Sequence, residues 1–408
     1  LRFDLSVHQS DFENFISDHA SGTVWKTDRS YLVSSLVYEK QLDPKRNLRF
    51  LLNHQNRDDD FDSTPYAALG RDEDHEKFEH SQIELRHRTS YSKDKSLTLG
   101  ASFNDLAGEG FEYSKSQSLQ DLSLYFLMDT PISDRDSMII GANHYSHSST
   151  SSCFTFTTAL LHKFEDNEVL RLGYSTGIRA ADLKVLYFHP LSMQMGPINV
   201  PIHEGGNEDL KNEEFSKIEL GYEKRWRRSS LKLDLFYNES SDRITAADVS
   251  TTPGPPLFGF INRDMDQEIA GGCLTYSREH SKQFRSSFSY RYSDSEWSNG
   301  ERGTYSPRHL LLLNMTFETK DDWTINMLAR SASAFETSLS DPTWPKLEGY
   351  QTLDVTVSHH FGREKEQSLW LKASNLFDSN HYEMFRSSAA PGGAEMERLV
   401  TLGYRIRF

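Results

Sequence analysis

Apolar and polar residues alternate along most of the chain. Leu231, Leu233, Leu235 and Tyr237 fall on one side of an extended segment, with Lys232, Asp234 and Asn238 on the other. Leu353, Val355 and Val357 alternate with Thr352, Asp354, Thr356 and Ser358, and Phe288, Tyr290 and Tyr292 with Ser287, Ser289 and Arg291. A period of two is the mark of a strand, because successive side chains point to opposite faces. About eighteen such segments can be drawn, each near the ~9–11 residues with which a tilted strand crosses a bilayer.

The connections alternate in length. Short polar turns are expected at 43–47, 93–95, 131–135, 165–167, 227–229, 279–282, 320–322 and 362–366. Longer links are expected at 10–22, 58–77, 104–118, 177–213, 250–260, 295–307, 333–349 and 377–396, with 148–151 a short exception. Antiparallel outer-membrane barrels alternate in this way, with short turns in the periplasm and long loops outside. A soluble propeller would repeat a motif at a fixed period, and no internal repeat is seen. If the last strand ends in the periplasm, counting back eighteen makes the first strand rise from it.

Composition sharpens this expectation. The chain has 408 residues and a formal net charge of −15, with 36% hydrophobic residues and a mean hydropathy of −0.65. No run approaches the ~18 apolar residues of a membrane helix. That does not exclude a membrane, since a spanning strand shows only alternate residues to lipid. The 18 tyrosines and 25 phenylalanines are many for so polar a chain, and Tyr and Trp favour membrane interfaces. The acidic balance excludes a nucleic-acid partner, whose phosphates need a basic face. Cys153 and Cys273 fit no metal spacing and are read as unpaired. The start at Leu1, without Met or signal peptide, is read as a point of processing or excision.

The chain ends Thr401-Leu402-Gly403-Tyr404-Arg405-Ile406-Arg407-Phe408. Val400, Leu402, Tyr404, Ile406 and Phe408 make one apolar face, opposite Thr401, Gly403, Arg405 and Arg407. A last strand of this form resembles the signal read by the barrel-assembly machinery, so Thr401, Gly403, Tyr404, Ile406 and Phe408 are read as assembly residues. Such a strand can pair with an open edge during insertion.

Several segments resemble the TonB-dependent receptor family, and in that family's order. Residues 169–181, VLRLGYSTGIRAA, look like its strand ending in a Phe-Arg-Ala-Pro box, with Ile178 for Phe and Ala181 for Pro. Residues 206–222, GNEDLKNEEFSKIELGY, look like its Asn-Pro-Asp-Leu-Lys-Pro-Glu segment, with Glu208 and Asn212 for the prolines. Residues 231–245, LKLDLFYNESSDRIT, match the next strand with its Asp-x-Ile ending. Residues 370–382, WLKASNLFDSNHY, are similar to its penultimate strand. The resemblance covers 1–408 as an all-β, antiparallel transmembrane barrel and is sharpest over 169–408. It implies an outer-membrane receptor taking up a scarce ligand (siderophore, haem, cobalamin or similar), driven by TonB through an N-terminal plug region. Barrels of this family have about 22 strands around a plugged lumen, so about four strands and the plug are expected outside these residues. The alternative is a plug-less passive porin or a surface-binding barrel. Implied partners are outer-membrane lipid, the assembly machinery, TonB through the plug region, and an extracellular small ligand such as a metal chelate.

Link 177–213 is the candidate ligand-binding segment, with Tyr187, Phe188, His189, Met193, Met195 and His203. His beside Met suits a soft metal, and His189 or His203 could be an axial haem ligand. Haem receptors of the family carry a His in this region. The competing reading is that aromatic, Pro and Met residues pack the loop on itself. Asp58, Asp59, Asp60 and Asp62 lack the central Gly and the twelfth-position acid of an EF-hand, and read as a solvated acidic loop or a looser cation site. His144 and His147 read as surface residues. Arg171, Arg179, Arg285, Arg291, Arg330 and Arg405, with Glu219 and Asp354, are expected on the lumen face. No nucleophile elbow, phosphate loop or His-Glu-x-x-His is present. No enzyme, resident cofactor or assigned metal is therefore expected, and an outer-membrane hydrolase would need a nucleophile, a His and an acid converging at one rim.

Overall fold

The computed structural model describes residues 2–18, 23–63, 73–92, 95–110, 113, 115–195, 198–251, 256–303, 306–336, 346–362, 365–379 and 398–406. Eighteen strands take part in one antiparallel sheet, as the alternation predicts. By contacts the chain divides into two units, residues 1–160, 174–216 and 240–266 in the first and 161–173, 217–239 and 267–408 in the second.

In the first unit, strands Arg2–Asp18, Thr23–Asp43, Arg46–Ser63, Glu73–Ser92, Lys95–Gly110, Gln117–Pro131 and Asp136–His147 pair consecutively. In the second, strands Gln267–Glu279, Phe284–Trp297, His309–Glu318, Trp323–Ala332, Tyr350–Phe361, Gln367–Ser374 and Leu399–Ile406 do the same. Strands Cys153–Glu165, Glu168–Arg179, Glu213–Trp226 and Ser229–Ser241 complete the set. Among the described residues, the short turns at 43–47, 131–135, 165–167, 227–229, 279–282 and 320–322 fall where expected.

The apolar face of the strands is the exposed one. Phe154 is 64% exposed and Leu402 68%, and Leu85, Leu99, Leu124 and Leu371 are comparably bare. Left in water, each such side chain would forgo about 1.5–3 kcal/mol of burial, so these faces require lipid. Buried apolar residues gather instead at the long-link ends. In the first unit, Leu119, Ala181, Leu183, Leu186 and Leu210 form a cluster. In the second, Phe335 and Leu347 lie buried where Phe335–Glu336 pairs with Lys346–Leu347.

Three expectations are corrected. The strands run from 8 residues (Leu399–Ile406) to 21 (Thr23–Asp43), not near ten. Antiparallel pairing satisfies the backbone whether lipid or water lies beside it, so hairpins continue past the bilayer. Much of the expected links 10–22, 58–77 and 104–118 is therefore strand, and Asp58, Asp59 and Asp60 sit on Arg46–Ser63 rather than in a solvated loop. His147, read as a surface residue, is buried, its Nδ1 accepting from the Ser149 amide at 3.3 Å. Cys153 and Cys273 are free thiols.

Candidate functional site

The described residues of link 180–212 form a cap. Asp182 starts the short helix Leu183–Tyr187 by accepting a hydrogen bond from the Val185 amide at 3.0 Å, an ordinary N-cap. Leu183 and Leu186, three apart, project to one side. They pack with Leu119, Ala181 and Leu210, against Phe78 and Leu106. Leu119 shares its strand face with Asp121, Ser123 and Tyr125, opposite the exposed Leu122 and Leu124. The cap is therefore seated on the polar face of the first unit, at its long-link end. Two strands of the cap, Leu191–Met195 and Ile198–His203, join Phe258–Asn262 and Ile244–Asp248 in a small sheet.

Residues 205–213 fasten the cap. Gly205 has φ +108°, a region that favours glycine. Gly206 lies against the backbone of Leu186 and Tyr187 so closely that any Cβ would collide with it. The Gly206 amide donates to Phe188 O at 2.8 Å and the Asn207 amide to Val185 O at 2.9 Å. Asn207 Nδ2 donates to Phe260 O at 2.9 Å. Asn262 answers in both directions, accepting from the Lys211 amide at 2.8 Å and donating to Lys211 O at 3.1 Å and Asp242 O at 2.7 Å. Asn212 Nδ2 donates to Ser151 O at 3.0 Å. Glu213 accepts from the Ile244 amide at 2.8 Å and pairs with Arg179 at 3.4 Å. Sequence reading singled out this segment by resemblance alone and missed Asn207 and Asn262 as fasteners; the Gly-Gly-Asn run was the available signal.

The expected ligand residues are only partly brought together. Phe188 meets the His203 ring at 4.8 Å, and His203 meets Phe260 at 5.0 Å. Tyr187 turns elsewhere, its hydroxyl 3.1 Å from Ser149 Oγ. His189 Nδ1 is buried with no hydrogen-bond partner among the described residues. Met193 and Met195 lie on Leu191–Met195, their side chains outside the described residues. His203 Nδ1 accepts from the Gly205 amide at 2.9 Å, which assigns the neutral ring's proton to Nε2. Burial holds the His203 pKa below its ordinary value, against a smaller opposing pull from Glu204. Among the described residues no cluster of three or more His, Cys, Asp or Glu is placed to hold a metal.

Charged groups on the outer parts of the second to fourth strands of the first unit are already paired. Arg29 Nε and Nη2 donate to the two oxygens of Asp59 at 2.5 and 2.6 Å. Asp59 is wholly buried, and Arg57 reaches it at 3.3 Å and Glu76 at 3.7 Å. Asp59 is thus consumed by arginine, and its neighbour Asp60 by His75 at 2.9 Å. Among the arginines expected on the lumen face, Arg171 lies 3.7 Å from Asp234 and Arg285 3.0 Å from Glu318. Glu219 pairs with Lys217 at 2.5 Å, and Asp354 accepts from the Asn375 amide at 2.9 Å. Thr401, Gly403, Tyr404 and Ile406 lie on the last strand, where Gly403 pairs with Trp370 and leaves room for its indole; Phe408 lies outside the described residues.

Residues 1–376 match the family described as TonB dependent receptor-like, beta-barrel. The chain belongs to that family. No curated protein matches by sequence. Among solved structures, this receptor barrel resembles the ferric-catecholate import receptor Fiu of Escherichia coli K12 at 12% identity and a TM-score of 0.73, covering 94% of this chain and 65% of Fiu. It resembles the FrpB iron transporter of Neisseria meningitidis (F5-1 variant) at 11% identity and 0.79, covering 100% and 70%. The copper transporter OprC follows at 15% and 0.72, covering 98% and 70%. At these identities the likeness carries the fold, and the chain spans about two thirds of the length of these proteins. The TonB-dependent receptor barrel is an outer-membrane structure, and the family and these neighbours are receptors and transporters.

Proposed function

We propose that this chain is the barrel part of a receptor for TonB-coupled uptake of a scarce ligand such as a siderophore, haem, cobalamin or another metal chelate. The long-link end faces outside and the short-turn end faces the periplasm. TonB acts through a plug region that these residues do not contain, and the barrel-assembly machinery and membrane lipid are its other partners. The chain is a carrier and not an enzyme. One observation supports this reading above the others: the longest link is fastened as a cap on the polar face rather than left as a tether. A preformed surface loses less entropy when a ligand binds. Within the cap, Phe188 and His203 offer a stacking surface and His189 a ring nitrogen that no described residue hydrogen-bonds.

The test is a titration of the purified chain with a panel of ferric siderophores, haem and cyanocobalamin, read by tryptophan fluorescence and by hydrogen exchange over 181–210. One ligand class is expected to saturate and to protect that segment. If it is haem or a soft metal, His189→Ala should weaken it. If nothing on the panel protects the cap and the chain conducts steadily in planar bilayers, the passive porin is the better reading.

A further inference from the structure

At the short-turn rim of the second unit, arginines 225, 227, 228, 278 and 285 line one concave pocket. The topology assembles it. Strands Ser229–Ser241 and Gln267–Glu279 are neighbours, and the Glu279 amide donates to Arg228 O at 2.8 Å. That bond ties the turn after Trp226 to the turn after Glu279. Arg285 follows on the returning strand, opposite Glu279.

The charge there is in excess. Arg225 is held by Glu223 at 2.6 Å and Arg285 by Glu318 at 3.0 Å. Arg227, Arg228 and Arg278 make no ion pair or side-chain hydrogen bond among the described residues, and Glu279 is the one acid in the lining. Five guanidiniums thus face three carboxylates, in a chain whose net charge is −15. Arg278 lies on the apolar strand face with Leu274 and Tyr276, whereas Arg285 stands on the opposite face, across from Glu279. The unpaired guanidiniums are thus those of the turn, Arg227 and Arg228, and of the lipid-side face, Arg278. Arginine forks match the oxygens of a phosphate two at a time.

The neighbouring surface indicates what carries the phosphate. Trp226 is bare on the apolar side of its strand, with the Lys224 ammonium 5.9 Å over its ring. On the same rim, His280 stacks on Phe284 at 4.4 Å and Phe284 on Phe317 at 4.3 Å. Rings with an apolar body beside a wet, charged edge mark headgroup level. We infer that this rim binds the phosphate of an anionic phospholipid in the periplasmic leaflet, its headgroup among Arg227, Arg228 and Arg278 and its glycerol and upper acyl chains against Trp226 and Phe284. The inference uses the membrane placement of the barrel and its short-turn end, not the identity of any transported ligand.

The test reconstitutes the full chain in phosphatidylcholine bilayers holding a minor fraction of spin-labelled phosphatidylglycerol, and measures its selection over spin-labelled phosphatidylcholine at low and high salt. Phosphorus NMR of the chain in neutral micelles with inorganic phosphate is the second arm. Phosphatidylglycerol should be selected about five- to tenfold at the rim, less so at high salt. The selection should vanish in Arg227→Gln/Arg228→Gln/Arg278→Gln. The corresponding lysine triple variant should keep part of it, and Arg135→Gln, in a different short turn, should keep all. Heat-dependent gel mobility verifies that each variant is folded. If inorganic phosphate binds and is lost in the triple glutamine variant while no lipid selection is seen, the lipid is overturned as the source. If the triple variant behaves as the parent in both arms, the site itself is overturned.

Discussion

Leu186→Ala is the most direct probe of whether the cap is a seated element. Leu186 is 1% exposed and touches the cluster of Leu119, Ala181, Leu183 and Leu210. Truncating a buried leucine costs about 2–5 kcal/mol, depending on how far the site collapses. The cap is a small cluster at the edge of a sheet, so a middle figure of ~3 kcal/mol is reasonable. If the cap opens as a unit, its open population should rise roughly 150-fold, since each ~1.4 kcal/mol is tenfold. The reporters are amides bonded within the folded cap, which are lost when it opens by unfolding: Leu186 to Asp182 O at 3.2 Å, Gly206 to Phe188 O and Asn207 to Val185 O. Hydrogen exchange of peptides spanning 183–207 should accelerate by that order. Peptides from Gln267–Glu279, in the other unit, should not change. Acceleration below about fivefold would refute the idea that apolar packing seats the cap, and equal acceleration in both peptides would mean that Leu186 supports the whole sheet.

Asp59→Asn should loosen the outer ends of Thr23–Asp43 and Arg46–Ser63 by about 2–4 kcal/mol, below the range for a fully buried pair because Arg29 keeps part of its surface in water; exchange at 25–33 and 55–62 is the measure, and an unchanged rate would show the pair to be idle. Protonating His203 removes the acceptor for the Gly205 amide and puts a cation between two rings. Its folded pKa lies below the ordinary value, so the contribution to cap stability is full above about pH 6.5 and is lost as pH falls through the lowered value. Exchange in the cap, corrected for intrinsic rates, should therefore quicken on acidification, and His203→Gln should flatten that dependence. Gly403→Val should displace the Trp370 indole that lies over it and lower the yield of the heat-modifiable folded band; Gly403→Val with Trp370→Ala should recover yield, whereas no recovery would mean that Gly403 matters for another reason.

The alternation of faces was legible because it is a local property, repeated in every strand and interrupted by turn residues. The short turn at 44–45 announces itself: Asp43 accepts from the Lys45 and Arg46 amides at 2.8 and 2.9 Å, a bond that an Asp can make with its own chain. Strand ends were not legible, since lipid thickness does not terminate a hairpin whose two arms still pair. Asp59 was misread for the same reason. Its neighbours are acidic, which suggests water, but its partner Arg29 is thirty residues away in sequence and directly opposite in register. Free thiols at Cys153 and Cys273 needed only their separation. The seat of the cap was hidden because Leu119 and Leu106 interrupt otherwise polar strand faces, and nothing local says which link will cover them.

The departures from the family-like boxes fall at points where the structure absorbs them. Ala181 stands where the resemblance suggests proline, and it is 1% exposed within the cap cluster beside Leu183 and Leu186. A small side chain there lets the helix close on the sheet. Asn212 stands at another proline position and uses what proline lacks, a side-chain donor, to hold Ser151 O. Asn207 and Leu210, which keep the box residues, serve one as a backbone clamp and the other as core. The box is thus a fastening whose parts face the protein. Residues already spent on fastening make poor ligand contacts, because a ligand would have to replace the bonds it breaks. Selectivity is therefore to be sought in side chains that the fastening does not use, and His189, whose buried Nδ1 has no hydrogen-bond partner among the described residues, is the first to mutate.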